Sequence, residues 1–319
     1  MLDLSKELLS KEKDGERVLV YSFALVMLLG FELSYYLLIV QTGVTQYMHS
    51  DIIALFPLFF GGVLGTYLSG RKWELLANPI HKISFALALQ LILSFFYPNF
   101  NVFTLFLLGI SVGAVAPLSV YIFKQKQILE LVFGLGIAYA IGTYFFTSYV
   151  DSRTEMAIVF SLIALMSAIV LKGYDLKKES SDNNLSMKVY FLPMLWIFLD
   201  SHLFESLLRN SALDIWSYNT SIIIIFHLIG LVAAYFMRKN AYQQYMIGFL
   251  FICSYLLASF ESLVFLAVVY PFVISYYNVV VFSTLIKENN LYRLSISMVF
   301  IAWLASGAGL GLALTKILY

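Results

Sequence analysis

Long runs of apolar residues, separated by short polar breaks, make up nearly all of this 319-residue chain. Each run is close to the roughly 20 residues that an α-helix needs to cross a hydrocarbon core of about 30 Å. A transmembrane barrel would instead need short segments of alternating hydrophobicity. The fold class that we predict is all-α, a polytopic bundle of transmembrane helices. The eleven predicted spans are residues 18–41, 50–69, 80–97, 101–123, 127–150, 155–171, 189–208, 216–237, 242–259, 262–284 and 294–317.

Two polar stretches divide the chain. Residues 1–17 lack the apolar centre and the cleavage site of a signal peptide, so we expect the first span to be retained behind a cytoplasmic N-terminal segment. Residues 172–188 are the longest polar break and predict a cytoplasmic linker. The linker separates a first half of six spans, residues 18–171, from a second half of five spans, residues 189–319.

Basic residues orient the predicted helices. Lys and Arg accumulate in cytoplasmic loops of membrane proteins. With the N-terminus inside, all but three of the 20 basic residues lie on the cytoplasmic side, the exceptions being Arg153, Arg209 and Lys316. This asymmetry predicts a multi-pass protein of the cell membrane with a cytoplasmic N-terminus and, after eleven spans, an external C-terminus.

Composition and charge limit the classes of function and partner that we expect. Hydrophobic residues make up 61% of the chain and charged residues 12%, about half the charge of a typical soluble domain. The net charge of +1 argues against a nucleic-acid partner and leaves membrane lipids and small solutes as the expected partners. A single cysteine, Cys253, excludes an internal disulfide. No glycine-rich phosphate loop followed by Lys-Ser/Thr is present, so we predict no ATP hydrolysis and no cofactor.

Short similarities between the halves predict an internal repeat. Gly62 to Tyr67 in the second span resembles Gly230 to Tyr235 in the eighth, and both stretches continue into a basic pair. The offset is 230 − 62 = 168 residues. Glu32 in the first span and Asp200 in the seventh have the same offset, 200 − 32 = 168. Chance similarity among apolar helices is the alternative.

The second span ends in a pattern of small and basic residues, formed by Gly62, Gly65, Gly70, Arg71 and Lys72. With two halves joined by a cytoplasmic loop, this pattern resembles the major facilitator superfamily of secondary transporters. The resemblance implies alternating access to a central site between the halves. The sequence departs from the family in two places, because Thr66 stands where the family has Asp and a twelfth span is missing.

Small residues and prolines inside the spans are conformational candidates. Gly134 and Gly142 in the fifth span resemble the glycine motif of the same family, and small residues allow close helix crossings in lipid. Pro117 and Pro271 would each free a backbone carbonyl within a helix. Passive packing and kinks without a role are the alternatives for all four.

Two carboxylates near the middle of the membrane are the main candidates for function. Glu32 lies roughly 21 Å from the inner end of its span, and Asp200 roughly 17 Å. Ionisable residues at this depth are costly and are therefore functional candidates. In the family that the chain resembles, the first and seventh helices face the central cavity. The resemblance implies that Glu32 and Asp200 face one another across it, where they could carry a proton or hold a cationic solute.

Three further ionisable residues accompany Asp200. His202 and Glu205, three residues apart, could touch one another. Glu205 also precedes Arg209 by four residues, so an ion pair near the surface is the alternative. His227 could join His202, or could bond a neighbouring helix. These are ligand types for transition metals, but no pair has the i,i+4 spacing of a helical metal motif, so we predict no metal site.

Aromatic residues could line the path of a solute. The chain has 22 Tyr and 28 Phe, most of which we expect at interfaces or facing lipid. Some aromatic residues lie within spans and could face a cavity, where aromatic rings favour organic cations. These candidates are Tyr35, Tyr36, Tyr139, Trp196, Tyr276 and Tyr277. Packing is the alternative for each of them.

Taken together, these features predict a secondary transporter, not an enzyme, that moves a small cationic or neutral solute and that protons could drive. The absence of Lys and Arg deep in any span argues against an anion. The alternatives are a transporter-like assembly factor that binds a partner, a transition-metal transporter, and an intramembrane enzyme that uses Asp200, His202 and Glu205.

Overall fold

The structure is a computed structural model that describes residues 2–44, 52–72, 77–124, 126–147, 150–174, 176, 187–237 and 242–315. Within these residues the backbone forms eleven long helices and no strand. The first six are α1 (Leu2–Tyr35), α2 (Ile52–Ser69), α3 (Pro79–Ser94), α4 (Val102–Ile122), α5 (Ile128–Tyr144) and α6 (Val150–Val170). The other five are α7 (Phe191–Arg209), α8 (Trp216–Met237), α9 (Gln243–Ser259), α10 (Leu263–Leu285) and α11, which begins as Leu291–Met298.

Each helix overlaps one of the eleven predicted spans, so the predicted all-α bundle is confirmed. Seven helices are long and apolar enough to cross a membrane, namely α1, α4, α6, α7, α8, α10 and α11. The other four, α2, α3, α5 and α9, are shorter apolar helices. The chain is therefore a helical, multi-pass membrane protein.

The predicted division of the chain at its polar stretches stays a prediction. Residues 2–17 form the first part of α1, which continues without a break to Tyr35. Most of the predicted linker 172–188, like Lys316, lies outside the described residues.

Two helices continue with a wider turn. Tyr36–Val44 extends α1 as a π-helix, and α11 passes through a π-helix at Val299–Ala305 before it ends as an α-helix at Ser306–Thr315. A π-helix shifts the backbone hydrogen bonds by one residue, and such segments are frequent at functional sites. Both π-helical segments contribute residues to the cavity described below.

Asparagine side chains cap the beginnings of α3 and α4. The Asn78 side chain accepts a hydrogen bond from the Ile80 N–H, just before Pro79 opens α3. Asn101 and Thr104 form a reciprocal capping box at the start of α4. These side chains bond backbone N–H groups that have no partner within the helix.

Helix pairing in the first half recurs in the second. In the first half, α1 packs on α5, α2 packs on α4, and α3 packs on α4. Six helices later, α7 packs on α11, α8 on α10, and α9 on α10. The halves meet where α5 contacts α8 and α10, and where α11 contacts α2 and α4.

Glycines bring α2 and α4 into backbone contact. A Cβ on Gly65 would lie 2.1 Å from the Ile110 carbonyl oxygen, and a Cβ on Gly113 would lie 2.2 Å from that of Gly62. Neither distance can be relieved by moving a side chain, because the obstacle is backbone. Such close crossings gain dispersion energy in lipid, where burying apolar surface gives no advantage.

Candidate functional site

A cavity of about 250 Å³ lies between the two halves. Helices α1, α4 and α5 supply its wall from the first half, and α7, α8, α10 and α11 supply the wall from the second. The wall is mainly apolar and aromatic. Its polar members are Gln41, Thr42, Thr143, Asp200, Ser201, His227, Asn278 and Ser306, with the hydroxyls of Tyr36, Tyr139 and Tyr277 and the indole of Trp303.

Asp200 is the single acidic residue of this wall, and no Lys or Arg lies among the described residues that form it. Two hydroxyls from α10 hold its carboxylate. Tyr277 donates to Oδ2 at 2.7 Å, and Tyr270 donates to Oδ1 at 2.9 Å. Both donors are neutral, and the described residues supply Asp200 with no ion pair. The hydroxyls therefore orient the carboxylate without cancelling its charge. We call Asp200, Tyr270 and Tyr277 the cavity cluster.

Tyr139 and His227 join the halves beside the cavity cluster. Their rings stack with centroids 4.5 Å apart and planes 4° from parallel. His227 Nδ1 also lies 2.7 Å from the Ser275 hydroxyl on α10. His227 bonds a neighbouring helix, as one reading of the sequence expected. Both rings line the cavity, so this contact between α5 and α8 is part of its wall.

Three aromatic rings pack together where α5, α7 and α8 meet. Phe146 stacks on Trp216 at 4.8 Å, and Phe204 meets the same indole edge-on at 5.4 Å. All three line the cavity. Large apolar rings at this end would exclude water and favour solutes that carry apolar surface.

Glu32 does not line this cavity. It is 6% exposed and faces α3, where Gln90 Nε2 donates to its Oε2 at 2.8 Å. The structure therefore does not bring Glu32 and Asp200 together, and the expectation that they face one another across the cavity is wrong. Neighbouring residues of α1 point to opposite sides, since Tyr36 lines the cavity whereas Tyr35 lies beside Ser94 of α3.

The other candidates on α7 are not among the residues that line the cavity. Glu205 pairs with Arg209 at 3.3 Å, as the alternative from the sequence proposed. His202 Nδ1 lies 2.8 Å from the Tyr255 hydroxyl on α9. Trp196 also faces α9, where it donates to Gln244 at 2.8 Å. No group of three His, Cys, Asp or Glu in the described part of the chain is arranged to hold a metal.

The glycine and basic pattern at the end of α2 contacts α11. A Cβ on Gly62 would meet the Trp303 ring at 2.1 Å. Trp303 Nε1 donates to the Thr66 hydroxyl at 2.8 Å, and that hydroxyl donates to the Gly113 carbonyl at 2.8 Å. Thr66, which replaces the expected Asp, thus joins α2, α4 and α11.

The same contact continues beyond the end of α2. A Cβ on Gly70 would meet the Ser295 side chain of α11 at 2.8 Å. The Arg71 guanidinium lies 4.8 Å from the Tyr67 ring and 5.3 Å from the Tyr292 ring. Lys72 is exposed. These contacts tie the halves together at this end of the bundle.

The remaining conformational candidates occupy tight positions. A Cβ on Gly134 would lie 2.9 Å from Leu29, and a Cβ on Gly142 would lie 3.1 Å from Leu37, so both glycines of α5 face α1. Pro117 and Pro271 are buried inside α4 and α10. Pro271 immediately follows Tyr270 of the cavity cluster.

Arg153 corrects one assignment made from the sequence. Counting basic residues placed it in an external loop, but it lies in α6 and is 1% exposed. It donates to the carbonyls of Leu38, at 3.2 Å, and Phe146, at 2.5 Å, and to the Thr42 hydroxyl at 3.2 Å. The planar guanidinium thus bonds groups at the ends of α1 and α5, which explains how it can be buried.

Sequence reasoning also missed Tyr270, Asn278 and Gln90. Tyr270 lies seven residues before Tyr277 and therefore shares one face of the helix with it, so the prediction for Tyr277 could have been extended to Tyr270. Gln90 is the one amide or charged side chain between Ser84 and Pro98. Such isolation in an apolar span could have marked it as a partner for a buried carboxyl.

Comparison with known proteins adds no family to this description. No protein-family model matches the chain, and no curated protein matches it.

Proposed function

We propose that the protein is a secondary transporter with the plan of the major facilitator superfamily. In this proposal a small cationic or neutral solute binds in the cavity between the halves and gains access to each side in turn. The observation that carries the proposal is Asp200, an unpaired carboxylate in a mainly apolar cavity to which both halves contribute. An unpaired charge in such surroundings is costly and favours a positively charged occupant.

Each part of the wall has a task in this proposal. Asp200 attracts the positive group, and the hydroxyls of Tyr270 and Tyr277 fix the carboxylate in place. The Phe146, Phe204 and Trp216 rings contact the apolar part of the solute. A neutral solute would bind with Asp200 protonated, which is how a proton could couple to transport. The cell membrane, with the N-terminus in the cytoplasm, is the location that the basic residues favour.

The packing of the halves supports alternating access. Each half repeats the same helix pairs, and the halves meet along the contacts of α5 with α8 and of α2 with α11. Inverted or parallel repeats that rock about a central site are a common design of secondary transporters. Movement of one half against the other would break and re-form the contacts around Trp303 and Arg71.

Uptake by reconstituted vesicles tests the proposal. The probes are a fluorescent monovalent aromatic cation and neutral and anionic analogues of the same size. We expect the cation or the neutral analogue to accumulate, and accumulation of the cation to be lost in Asp200→Asn. The matched control is Glu155→Gln, which removes an exposed carboxylate of α6 and should leave uptake unchanged. If only the anion accumulates, or if no probe does while the protein captures a partner protein, the proposal is wrong.

A further inference from the structure

A second polar cluster lies inside the first half, behind the wall that α1 gives to the cavity. Its centre is Glu32, whose carboxylate accepts one hydrogen bond, from Gln90 Nε2 at 2.8 Å. Glu32 is 6% exposed and Gln90 is fully buried. Nothing in the proposed transport cycle uses this carboxylate, because it is not part of the cavity wall.

Three hydroxyls complete the cluster. Ser161 Oγ of α6 lies 3.5 Å from Gln90 Nε2, and Ser94 Oγ of α3 lies 3.2 Å from Ser161 Oγ. The Tyr35 hydroxyl of α1 lies 3.2 Å from Ser94 Oγ. We call Glu32, Tyr35, Gln90, Ser94 and Ser161 the buried cluster. Its side-chain oxygens come from α1, α3 and α6, and all five residues are buried.

Within the described part of the chain, the buried cluster contains a carboxylate without an ion pair and an amide oxygen without a hydrogen-bond partner. Glu32 has no ion pair with any described residue, so a carboxylate here would be an unpaired charge inside a membrane protein. Gln90 Oε1 is buried and has no hydrogen-bond partner. Leaving such an amide oxygen without a partner costs about 1–3 kcal/mol. A single cation with oxygen ligands would neutralise the Glu32 carboxylate and would also give Gln90 Oε1 a partner.

We infer that the buried cluster binds one alkali-metal cation, with sodium as the best candidate. Glu32 supplies the single negative charge that balances a monovalent ion. The neutral ligands are the hydroxyl oxygens of Tyr35, Ser94 and Ser161 and the unpartnered Oε1 of Gln90. Hard cations prefer carboxylate, carbonyl and hydroxyl oxygens, and a single carboxylate among neutral oxygens suits a monovalent ion better than a divalent one.

Protonation of Glu32 accounts for fewer of these side chains than a bound metal ion does. It would neutralise Glu32 through one oxygen, without using the chain of three hydroxyls that α1, α3 and α6 contribute. A metal ion uses all of these oxygens at once and ties the three helices together. Tyr36 and Leu37, at the end of α1, also line the cavity. The ion would therefore stabilise the position of a helix that forms part of the cavity wall.

Direct binding of radioactive sodium to the purified full-length protein tests this inference. We expect saturable binding of one ion per chain, lost in Glu32→Gln. Ser161→Ala removes one neutral ligand while it keeps the carboxylate, and should weaken binding roughly 10-fold or more. Glu155→Gln is the matched control and should bind sodium as the original chain does. An unchanged circular-dichroism spectrum verifies that each variant is folded.

A thermal-shift series gives an independent measurement. Sodium chloride should raise the Tm relative to choline chloride at equal ionic strength, and Glu32→Gln should lose this shift. Asp200→Asn should keep it, so a failure of this site is distinguishable from a failure of the solute site. Absence of saturable sodium binding, or binding that survives Glu32→Gln, would overturn the inference, as would stabilisation that depends on pH but never on sodium.

Discussion

The buried cluster and the cavity cluster are each centred on one carboxylate in the membrane, at positions 168 residues apart in the chain. Both carboxylates accept hydrogen bonds from neutral donors and neither has an ion pair among the described residues. Their surroundings differ. Glu32 is sealed among α1, α3 and α6, whereas Asp200 faces a cavity to which both halves contribute.

The difference shows that an equivalent position in the sequence does not give an equivalent environment. Asp200 is held by two tyrosines of α10, the partner of α8, and remains open to a solute. Glu32 is held by an amide of α3 and has no access to the cavity. We therefore assign the solute to Asp200 and the inorganic cation to Glu32.

The largest expected effect is on solute binding. Asp200→Asn removes the charge that attracts a cationic solute, and losing one partner of a buried charge pair costs about 2–5 kcal/mol. The Kd of the aromatic cation, measured by fluorescence, should rise at least about 30-fold. Glu32→Gln, measured in the same sodium-free buffer, should change that Kd little. If the Kd of the cation rose equally in the two variants, the assignment of the solute to Asp200 and not to Glu32 would be wrong.

The next effect concerns the stability of the buried cluster. Gln90→Leu leaves Glu32 without its hydrogen-bond donor, and we expect a loss of about 1–3 kcal/mol in the free energy of unfolding. The double variant Glu32→Leu with Gln90→Leu removes both polar groups and should recover most of this loss. Denaturation in detergent with choline as the salt measures both. A double variant that is as unstable as the sum of the single changes would contradict the account.

The smallest effect lies at the contact between the halves beside Asp200. Tyr139→Leu removes the ring that stacks on His227, and should lower the free energy of unfolding by about 0.5–1.5 kcal/mol. The buried cluster has no such contact across the halves. Tyr144→Leu, which changes an exposed tyrosine on the same helix, is the control and should have little effect. Equal effects of the two substitutions would show that the stacking adds nothing.

Much of the fold follows from the sequence because the bilayer imposes it. The length of each apolar run sets the existence and position of a helix, and all eleven were predicted on that basis. Depth in the membrane is also readable, since it depends on counting residues from the end of a span. Asp200 was identified in this way as a candidate for the central site.

The direction in which a side chain points could not be read from the sequence. Glu32 and Asp200 have similar depths, but their environments depend on which helices pack beside α1 and α7. Arg153 illustrates the same limit. The order of the predicted spans places it in an external loop, whereas the carbonyls at the ends of α1 and α5 make its burial favourable. These contacts join residues more than 100 positions apart or at helix ends, and no local pattern encodes them.

Reactivity of introduced cysteines tests the separation of the two clusters most directly. Cys253, the single native cysteine, is first replaced by serine. Asp200→Cys and Glu32→Cys are then each introduced and exposed to a small water-soluble thiol reagent. We predict rapid modification of the cysteine at position 200 and little modification at position 32. Comparable reaction rates at both positions, or faster reaction at position 32, would contradict the account.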